Sequence, residues 1–183
     1  MTALLSPTWF VAGESGSWRI LRVDAVKGDS LPAARRLSVC GPGEDVAGAA
    51  RWALQGVVGH ARYVQSREKS ALAAVQPALG RESATCAAFI PIRKSAAWWD
   101  LAQDERRAIL EERSHHIAEG MKYLPAIARR LYQSRELGEP FDFLTWFEFA
   151  PEHADAFEQL TALLRRSEEW AYVEREVDIR LSR

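Results

Sequence analysis

The chain has 183 residues, of which 48% are hydrophobic and 27% are charged. This balance is typical of a globular protein and suffices for a buried core in one domain or two small ones. The 24 Lys and Arg residues nearly cancel the 25 Asp and Glu residues, which leaves a net charge of −1. A near-neutral chain lacks the broad positive surface that non-specific nucleic-acid binding requires, so we expect no nucleic-acid partner.

The sequence lacks targeting signals and cysteine motifs, which further limits the class of protein it can encode. The N-terminus MTALLSPTWF has neither a basic start nor a full apolar core, and the apolar stretches elsewhere are shorter than a membrane span. We therefore expect a cytoplasmic protein with no signal peptide and no membrane partner. Cys40 and Cys86 are the only cysteines, which excludes a disulfide framework, a CxxC metal site and a CxxCH motif for covalent haem. The seven tryptophans are unusual and fit a core, an interface or a flat apolar pocket.

The first half of the chain is predicted to be mainly extended. Residues 7–12 and 18–25 are predicted to be strands joined by the turn sequence GESGS, and WRILRVD in the second strand alternates apolar and polar side chains, which indicates a β-hairpin. Three further extended segments are predicted, at 33–40, 51–58 and 61–65. A helix is expected over 67–79, interrupted by Pro77, and a buried strand over 85–92.

The second half is predicted to be richer in helix. Residues 95–120 are expected to be helical, most regularly over 103–120, and 121–132 to continue as helix with a break at Pro125. A strand over 141–149, an amphipathic helix over 151–166 and a final strand over 170–181 complete the chain. This order predicts an α+β fold of ferredoxin-like type, with helices on one face of an antiparallel sheet.

Short catalytic motifs are missing from the sequence. It contains no HExxH, no P-loop, no GxGxxG and no GxSxG. His115 and His116 are adjacent, so on one helix their side chains would point about 100° apart and would not share a metal ion.

The remaining polar candidates each have an ordinary structural interpretation. Most often, a single histidine on a helix lies at the surface or in the core, paired arginines and glutamates lie at the surface, and paired tryptophans lie in the core or an interface. A glutamine directly before proline usually marks the end of a helix. The residues concerned are His116, Arg129 with Arg130, Trp98 with Trp99, Glu168 with Glu169, and Gln76. On one unbroken helix His116 and Arg129 would lie about 20 Å apart, so only a chain break near Pro125 brings them to one site.

Several longer segments together resemble the chlorite dismutase family, specifically its short-chain dimeric branch. They are IPIRKSAAWW at 90–99, the histidine of RSHHIAEG, the block YLPAIARRLYQSRELGEPFDFLTWFEF at 123–149 and the ending EEWAYVEREVDIRL. The resemblance implies one domain over 1–183 that forms a ferredoxin-like α+β barrel of the dimeric α/β barrel superfamily. Its truncated N-terminal half would be 1–95 and its haem-binding half 96–183, in a homodimer.

The resemblance also implies roles for individual residues. His116 corresponds to the proximal iron ligand of a non-covalent haem b, and Arg129 to the distal arginine. Trp98 matches a tryptophan beside the haem, and Tyr63 lies where a haem-propionate contact is expected. Gln76 matches a distal glutamine that bonds the arginine. Either Glu168 or Glu169 would accept the second N–H of the histidine, with Glu169 favoured.

The activity implied by the resemblance is conversion of chlorite to chloride and dioxygen. Oxygen transfer from chlorite to iron would give a ferryl species and hypochlorite, and their recombination would form the O–O bond while Arg129 retains the hypochlorite. Two alternatives stay open, a coproheme decarboxylase and a haem-free dimeric α+β barrel that serves as a binding module. The decarboxylases generally carry glutamine in place of the distal arginine. Dye-decolourising peroxidases usually carry a GxxDG pattern, which this chain lacks.

Overall fold

The computed structural model describes residues 6–41, 44, 49–59 and 63–183. The strands are β1 (Thr8–Gly13), β2 (Trp18–Lys27), β3 (Arg36–Cys40), β4 (Trp52–Val58), β5 (Cys86–Lys94), β6 (Ala128–Gln133), β7 (Phe143–Phe149) and β8 (Val173–Ser182). The helices are α1 (Ser66–Val75), α2 (Ala96–Asp100), α3 (Gln103–Arg107), α4 (His116–Met121) and α5 (Ala154–Leu164). The strand predicted over 61–65 lies partly outside the described residues, and its described part, 63–65, is not a strand.

The eight strands close into an antiparallel barrel in the order β1-β3-β2-β8-β5-β7-β6-β4. Strands β5 to β8, with the helices between them, follow the βαββαβ order of a ferredoxin-like unit. Strands β1 to β4 have the same relative order around the barrel, with residues 14–17 in place of the first helix. The predicted ferredoxin-like α+β barrel is therefore confirmed, and the division at residue 95 stays a prediction.

The predicted hairpin between β1 and β2 is wrong, because β3 lies between these two strands. Leu37 of β3 pairs with Ala12 on one side and with Trp18 on the other. The intervening turn crosses β3 at Gly16, whose φ is +145° and whose Cβ, if present, would lie 2.5 Å from the Leu37 carbonyl carbon. Only glycine fits this crossing. The local residue pattern identified both strands but could not identify their partners.

Two clusters of buried side chains occupy the two faces of the sheet. Residues such as Phe10, Leu37, Phe89, Trp146 and Ile179 fill the interior of the barrel. A second cluster lies between the outer face of the sheet and α5. Its members include Ile90, Phe147, Phe157 and Leu160. No helix in the described part of the chain is long and apolar enough to cross a membrane.

The helix predicted over 103–120 is interrupted. After α3 the chain makes one turn of π-helix over Ala108–Arg113, and His115 then adopts a left-handed conformation with φ of 52°. Helix α4 starts at the next residue, His116. The helix predicted over 121–132 is wrong, because α4 ends at Met121, residues 122–127 form turns and a bend, and Ala128–Gln133 pairs with β7 as strand β6.

Candidate functional site

A mainly apolar cavity lies between the outer face of the second half of the barrel and helices α4 and α5. Its apolar walls include Ile90 and Ile92 of β5, Phe147 of β7, Ile117 of α4 and Leu160 of α5. His116, Arg129, Trp98, Tyr63 and Glu169 line the same cavity. The structure therefore brings five of the seven predicted site residues together.

Strand alternation decides which side chains of β5 and β6 reach the cavity. Arg129, Leu131 and Gln133 of β6 line it, while Tyr132 points to the barrel interior. The chain reverses between α4 and β6 around Pro125, so Arg129 returns to the cavity that His116 lines. The two residues thus line one cavity because the helix ends before Pro125, near the break that the sequence indicated.

The position of His116 follows from the backbone before it. The left-handed residue His115 is exposed, whereas His116 begins α4 and lines the cavity. The carboxylate of Glu111 accepts the backbone N–H groups of Ile117 at 2.6 Å and Ala118 at 3.2 Å. These bonds satisfy donors that are free in the first turn of a helix, so they fix the start of α4.

Glu169 joins His116 to a buried lysine. Its Oε2 lies 2.7 Å from Nδ1 of His116, and its Oε1 lies 2.5 Å from Nζ of Lys94. The backbone N–H of Glu169 donates to the hydroxyl of Ser114 at 3.1 Å. A carboxylate at Nδ1 holds the proton on that nitrogen, so Nε2 is left to bind a metal ion.

The charge of Glu169 is stabilised by its two partners. Burial by itself would raise the pKa of this carboxyl, but the contacts with His116 and Lys94 outweigh burial and hold the pKa well below its usual range. Lys94 is only 4% exposed and lies 4.5 Å from the centre of the Trp98 ring. The carboxylate next to His116 is therefore ionised at neutral pH.

Glu168 points elsewhere. Its carboxylate lies 3.3 Å from Nε of Arg113, and both side chains are about half exposed. Of the two adjacent candidates, only Glu169 contacts His116.

The guanidinium of Arg129 faces the cavity, and no carboxylate in the described part of the chain forms an ion pair with it. Burial lowers the pKa of this group. The side chain of Gln76 donates to the backbone carbonyl of Arg129 at 2.6 Å, from an exposed position outside the cavity. Gln76 thus contacts the main chain of Arg129 and not its guanidinium.

Trp98 and Tyr63 form one wall of the cavity. Trp98 is 1% exposed, and its indole Nε1 is buried without a hydrogen-bond partner. The Tyr63 ring stands perpendicular to it with the ring centres 6.1 Å apart. The hydroxyl of Tyr63 accepts a hydrogen bond from Arg106 at 3.2 Å. A buried indole N–H needs an acceptor, so this wall is suited to an anionic group of a ligand.

Sequence reasoning missed two residues that shape the site, Lys94 and Glu111. In IPIRK the alternation of β5 places Lys94 on the same face as Ile90 and Ile92, and a lysine on an apolar stripe was the available signal. Glu111 reaches α4 across the π-helical turn, for which the sequence has no simple signature.

Comparison with known proteins decides the family. The family model described as chlorite dismutase matches residues 45–183. This chain belongs to the chlorite dismutase family. A dimeric chlorite dismutase of known structure from Nitrobacter winogradskyi is 61% identical, with a TM-score of 0.89 over 96% of this chain and 99% of that chain.

More distant members of the family match shorter parts of the chain. A mutant chlorite dismutase from Candidatus Nitrospira defluvii is 28% identical, with a TM-score of 0.61 over 74% of this chain and 56% of that one. The chlorite dismutase of Ideonella dechloratans is 37% identical over 60 residues, which are 33% of this chain and 20% of that protein. The match thus spans one fifth of the length of this curated relative.

Proposed function

We propose that this protein is a haem b-dependent chlorite dismutase that converts chlorite into chloride and dioxygen. The observation that carries the proposal is that His116, bound to the ionised Glu169, and Arg129, without a carboxylate partner, line one apolar cavity. The 61% identical relative from Nitrobacter, named a dimeric chlorite dismutase, supports the same activity.

The residues present fit a haem group. The apolar walls suit a porphyrin, and His116 offers one ring nitrogen for iron because Glu169 occupies the other. The unpartnered indole N–H of Trp98 needs an acceptor, which a haem propionate would supply. His116, Trp98 and Tyr63 would therefore hold the group.

Haem b, when bound, would supply the iron at which oxygen leaves chlorite and the O–O bond forms. His116 would bind the metal, and Glu169 orients the imidazole and increases its basicity through the hydrogen bond to Nδ1. Lys94 keeps Glu169 ionised and in place. These three residues form the proximal side of the proposed site.

Arg129 acts on the substrate side. Chlorite and hypochlorite are anions, and a guanidinium in a mainly apolar cavity attracts them more strongly than it would in bulk water. No proton has to be supplied, since chlorite divides into chloride and dioxygen without one. Arg129 therefore binds the anion and retains hypochlorite until the O–O bond has formed.

The proposal also includes the oligomeric state, the two halves of the chain and the role of Gln76, as predicted from the sequence. The active form is a homodimer, which the dimeric relative supports. Residues 1–95 form the truncated half and 96–183 the haem-binding half. Gln76 acts through the backbone of Arg129, which its side chain contacts at 2.6 Å. A cytoplasmic location stays a prediction from the sequence.

The proposed function is tested by comparing alanine variants of the neighbouring residues His115 and His116. Purified protein is titrated with ferric haem, and dioxygen released after chlorite addition is measured with an oxygen electrode. We expect a ferric Soret band and rapid dioxygen release from the wild type and from His115→Ala, and loss of both from His116→Ala. Haem that binds equally well to His116→Ala, or a loaded wild type that releases no dioxygen, would refute the proposal.

A further inference from the structure

Arg107, a residue with no role in the proposed reaction, connects three parts of the chain. From α3 its Nη1 donates to the backbone carbonyl of Tyr63 and to Oε2 of Glu68 at 2.7 Å. Its Nη2 donates to Oε1 of Glu68 at 2.6 Å. The two side chains are only 16% and 15% exposed. A bidentate pair of this kind restricts orientation as well as distance.

Glu68 is itself held in place. Its Oε2 accepts the backbone N–H of Gln65 at 2.8 Å and so caps the first turn of α1. The hydrogen bond from Arg107 lowers the pKa of Glu68 most, so the carboxylate is ionised at neutral pH. Arg107 is therefore bound to a fixed anion and not to a freely moving side chain.

The backbone of Tyr63 requires such a restraint. Its φ is +63°, a left-handed conformation that is unfavourable for a residue with a large side chain and persists only where contacts hold it. Arg107 bonds its carbonyl, and Arg106 bonds its hydroxyl at 3.2 Å. Two consecutive arginines of α3 thus hold the backbone and the ring of one cavity residue.

The position of Tyr63 matters for the cavity. Its ring stands perpendicular to that of Trp98, and both rings line the wall where the indole N–H lacks an acceptor. If the backbone at Tyr63 relaxed to a commoner conformation, the ring would leave this wall and open the cavity beside Trp98.

We propose that Arg107 is a positioning residue for cofactor retention. By linking the Tyr63 carbonyl to the Glu68 carboxylate, it holds Tyr63 against Trp98 and closes one wall of the pocket. This inference rests on the proposed haem-binding function. It predicts that Arg107 controls how fast haem leaves the protein, although Arg107 does not line the cavity.

The test is the rate at which the holoprotein transfers haem to an excess of an apo-globin acceptor. We expect Arg107→Gln and Tyr63→Ala each to lose haem about tenfold faster than the wild type, and the double variant to lose it no faster than either one, because both changes remove the same wall. Arg93→Gln is the matched control, since Arg93 forms a half-exposed ion pair with Glu174 at 3.1 Å. It should retain haem as the wild type does.

A second variant, Glu68→Gln, keeps the proposal testable if Arg107→Gln does not fold. Glu68→Gln leaves Arg107 and Tyr63 intact but removes the charge that fixes Arg107, and we expect about threefold faster haem loss. The inference is overturned if both the Arg107 and Glu68 variants retain haem like the wild type, or if the Arg107 and Tyr63 effects are additive. A wild type that binds no haem would instead overturn the proposed function and, with it, this inference.

Discussion

Glu169 occupies a largely buried position, where the ammonium group of Lys94 and the imidazole of His116 stabilise its carboxylate. Nζ of Lys94 lies 2.5 Å from one oxygen, and Nδ1 of His116 lies 2.7 Å from the other. Breaking a buried ion pair by removing one partner leaves the other charge buried without compensation. The carboxylate therefore contributes to stability as well as to the orientation of the histidine.

Glu169→Gln should lower the free energy of unfolding by about 3 kcal/mol near neutral pH, because Lys94 stays buried without its anion. The pKa of Glu169 is depressed in the folded state, so its contribution is present above the usual value of 4.5 and declines as the pH falls below that value. In urea unfolding at several pH values, the difference between wild type and variant should narrow in acid.

Glu168→Gln is the matched control for this experiment. Its carboxylate forms a half-exposed pair with Arg113, and such pairs contribute less than about 1 kcal/mol. Equal losses in the two variants, or a Glu169→Gln difference that widens in acid, would contradict the assigned charge of Glu169.

Arg129→Ala tests the anion-binding role. We expect haem binding to be retained, chlorite turnover to fall about a hundredfold, and hypochlorite to escape into a chemical trap, since the variant lacks the charge that holds the anion. Arg130→Ala, at the exposed neighbouring position on β6, should behave as the wild type does. An Arg129→Ala enzyme with normal turnover and no escaping hypochlorite would show that this role is wrong.

Single residues were predictable to different degrees. The motifs singled out His116 and Arg129, which line one cavity. They favoured Glu169 but left Glu168 as an alternative, because adjacent side chains point in different directions and tertiary packing decides which one contacts the histidine. Lys94 was not predicted to be a site residue, because a single lysine in a strand is usually solvated.

At the scale of elements, the crossing of the 14–17 turn over β3 depends on one glycine. Gly16→Ala would place a Cβ 2.5 Å from the Leu37 backbone at a φ of +145°, and we expect a loss of about 3 kcal/mol from strain and overpacking together. Gly138→Ala is the control. The φ of Gly138 is +75°, but no other atom would lie within 4 Å of the added Cβ, so the free energy of unfolding should fall by only about 1 kcal/mol.

Urea unfolding of both glycine variants measures the difference. A Gly16→Ala protein that is no less stable than Gly138→Ala would mean that the turn does not cross β3 as described.

Elements were predictable where the signal is local. The local residue pattern located most strands within a few residues, because each has one face in the barrel core. It failed for the pairing of β1 with β2, which depends on β3, and for β6, whose residues Ala128–Gln133 follow directly on a helical turn and become a strand only by pairing with β7.

At the scale of the whole molecule, the barrel leaves apolar side chains of its N-terminal half exposed. Among the described residues, Leu21, Val58 and Val75 are between 42% and 54% exposed. Exposed apolar surface favours association, and the 61% identical relative is dimeric. We expect light scattering after size exclusion to give about 41 kDa, twice the 20.6 kDa of one chain. A mass near that of one chain over a wide concentration range would contradict a stable homodimer.

In the proposed reaction both oxygen atoms of one chlorite ion leave together as dioxygen. The direct measurement is mass spectrometry of the gas released when the haem-loaded protein turns over chlorite labelled with oxygen-18 in unlabelled water. We predict dioxygen that carries the label in both atoms, because hypochlorite is retained beside Arg129 until the O–O bond forms. Singly labelled or unlabelled dioxygen, or no dioxygen at all, would show that the protein does not carry out the proposed reaction.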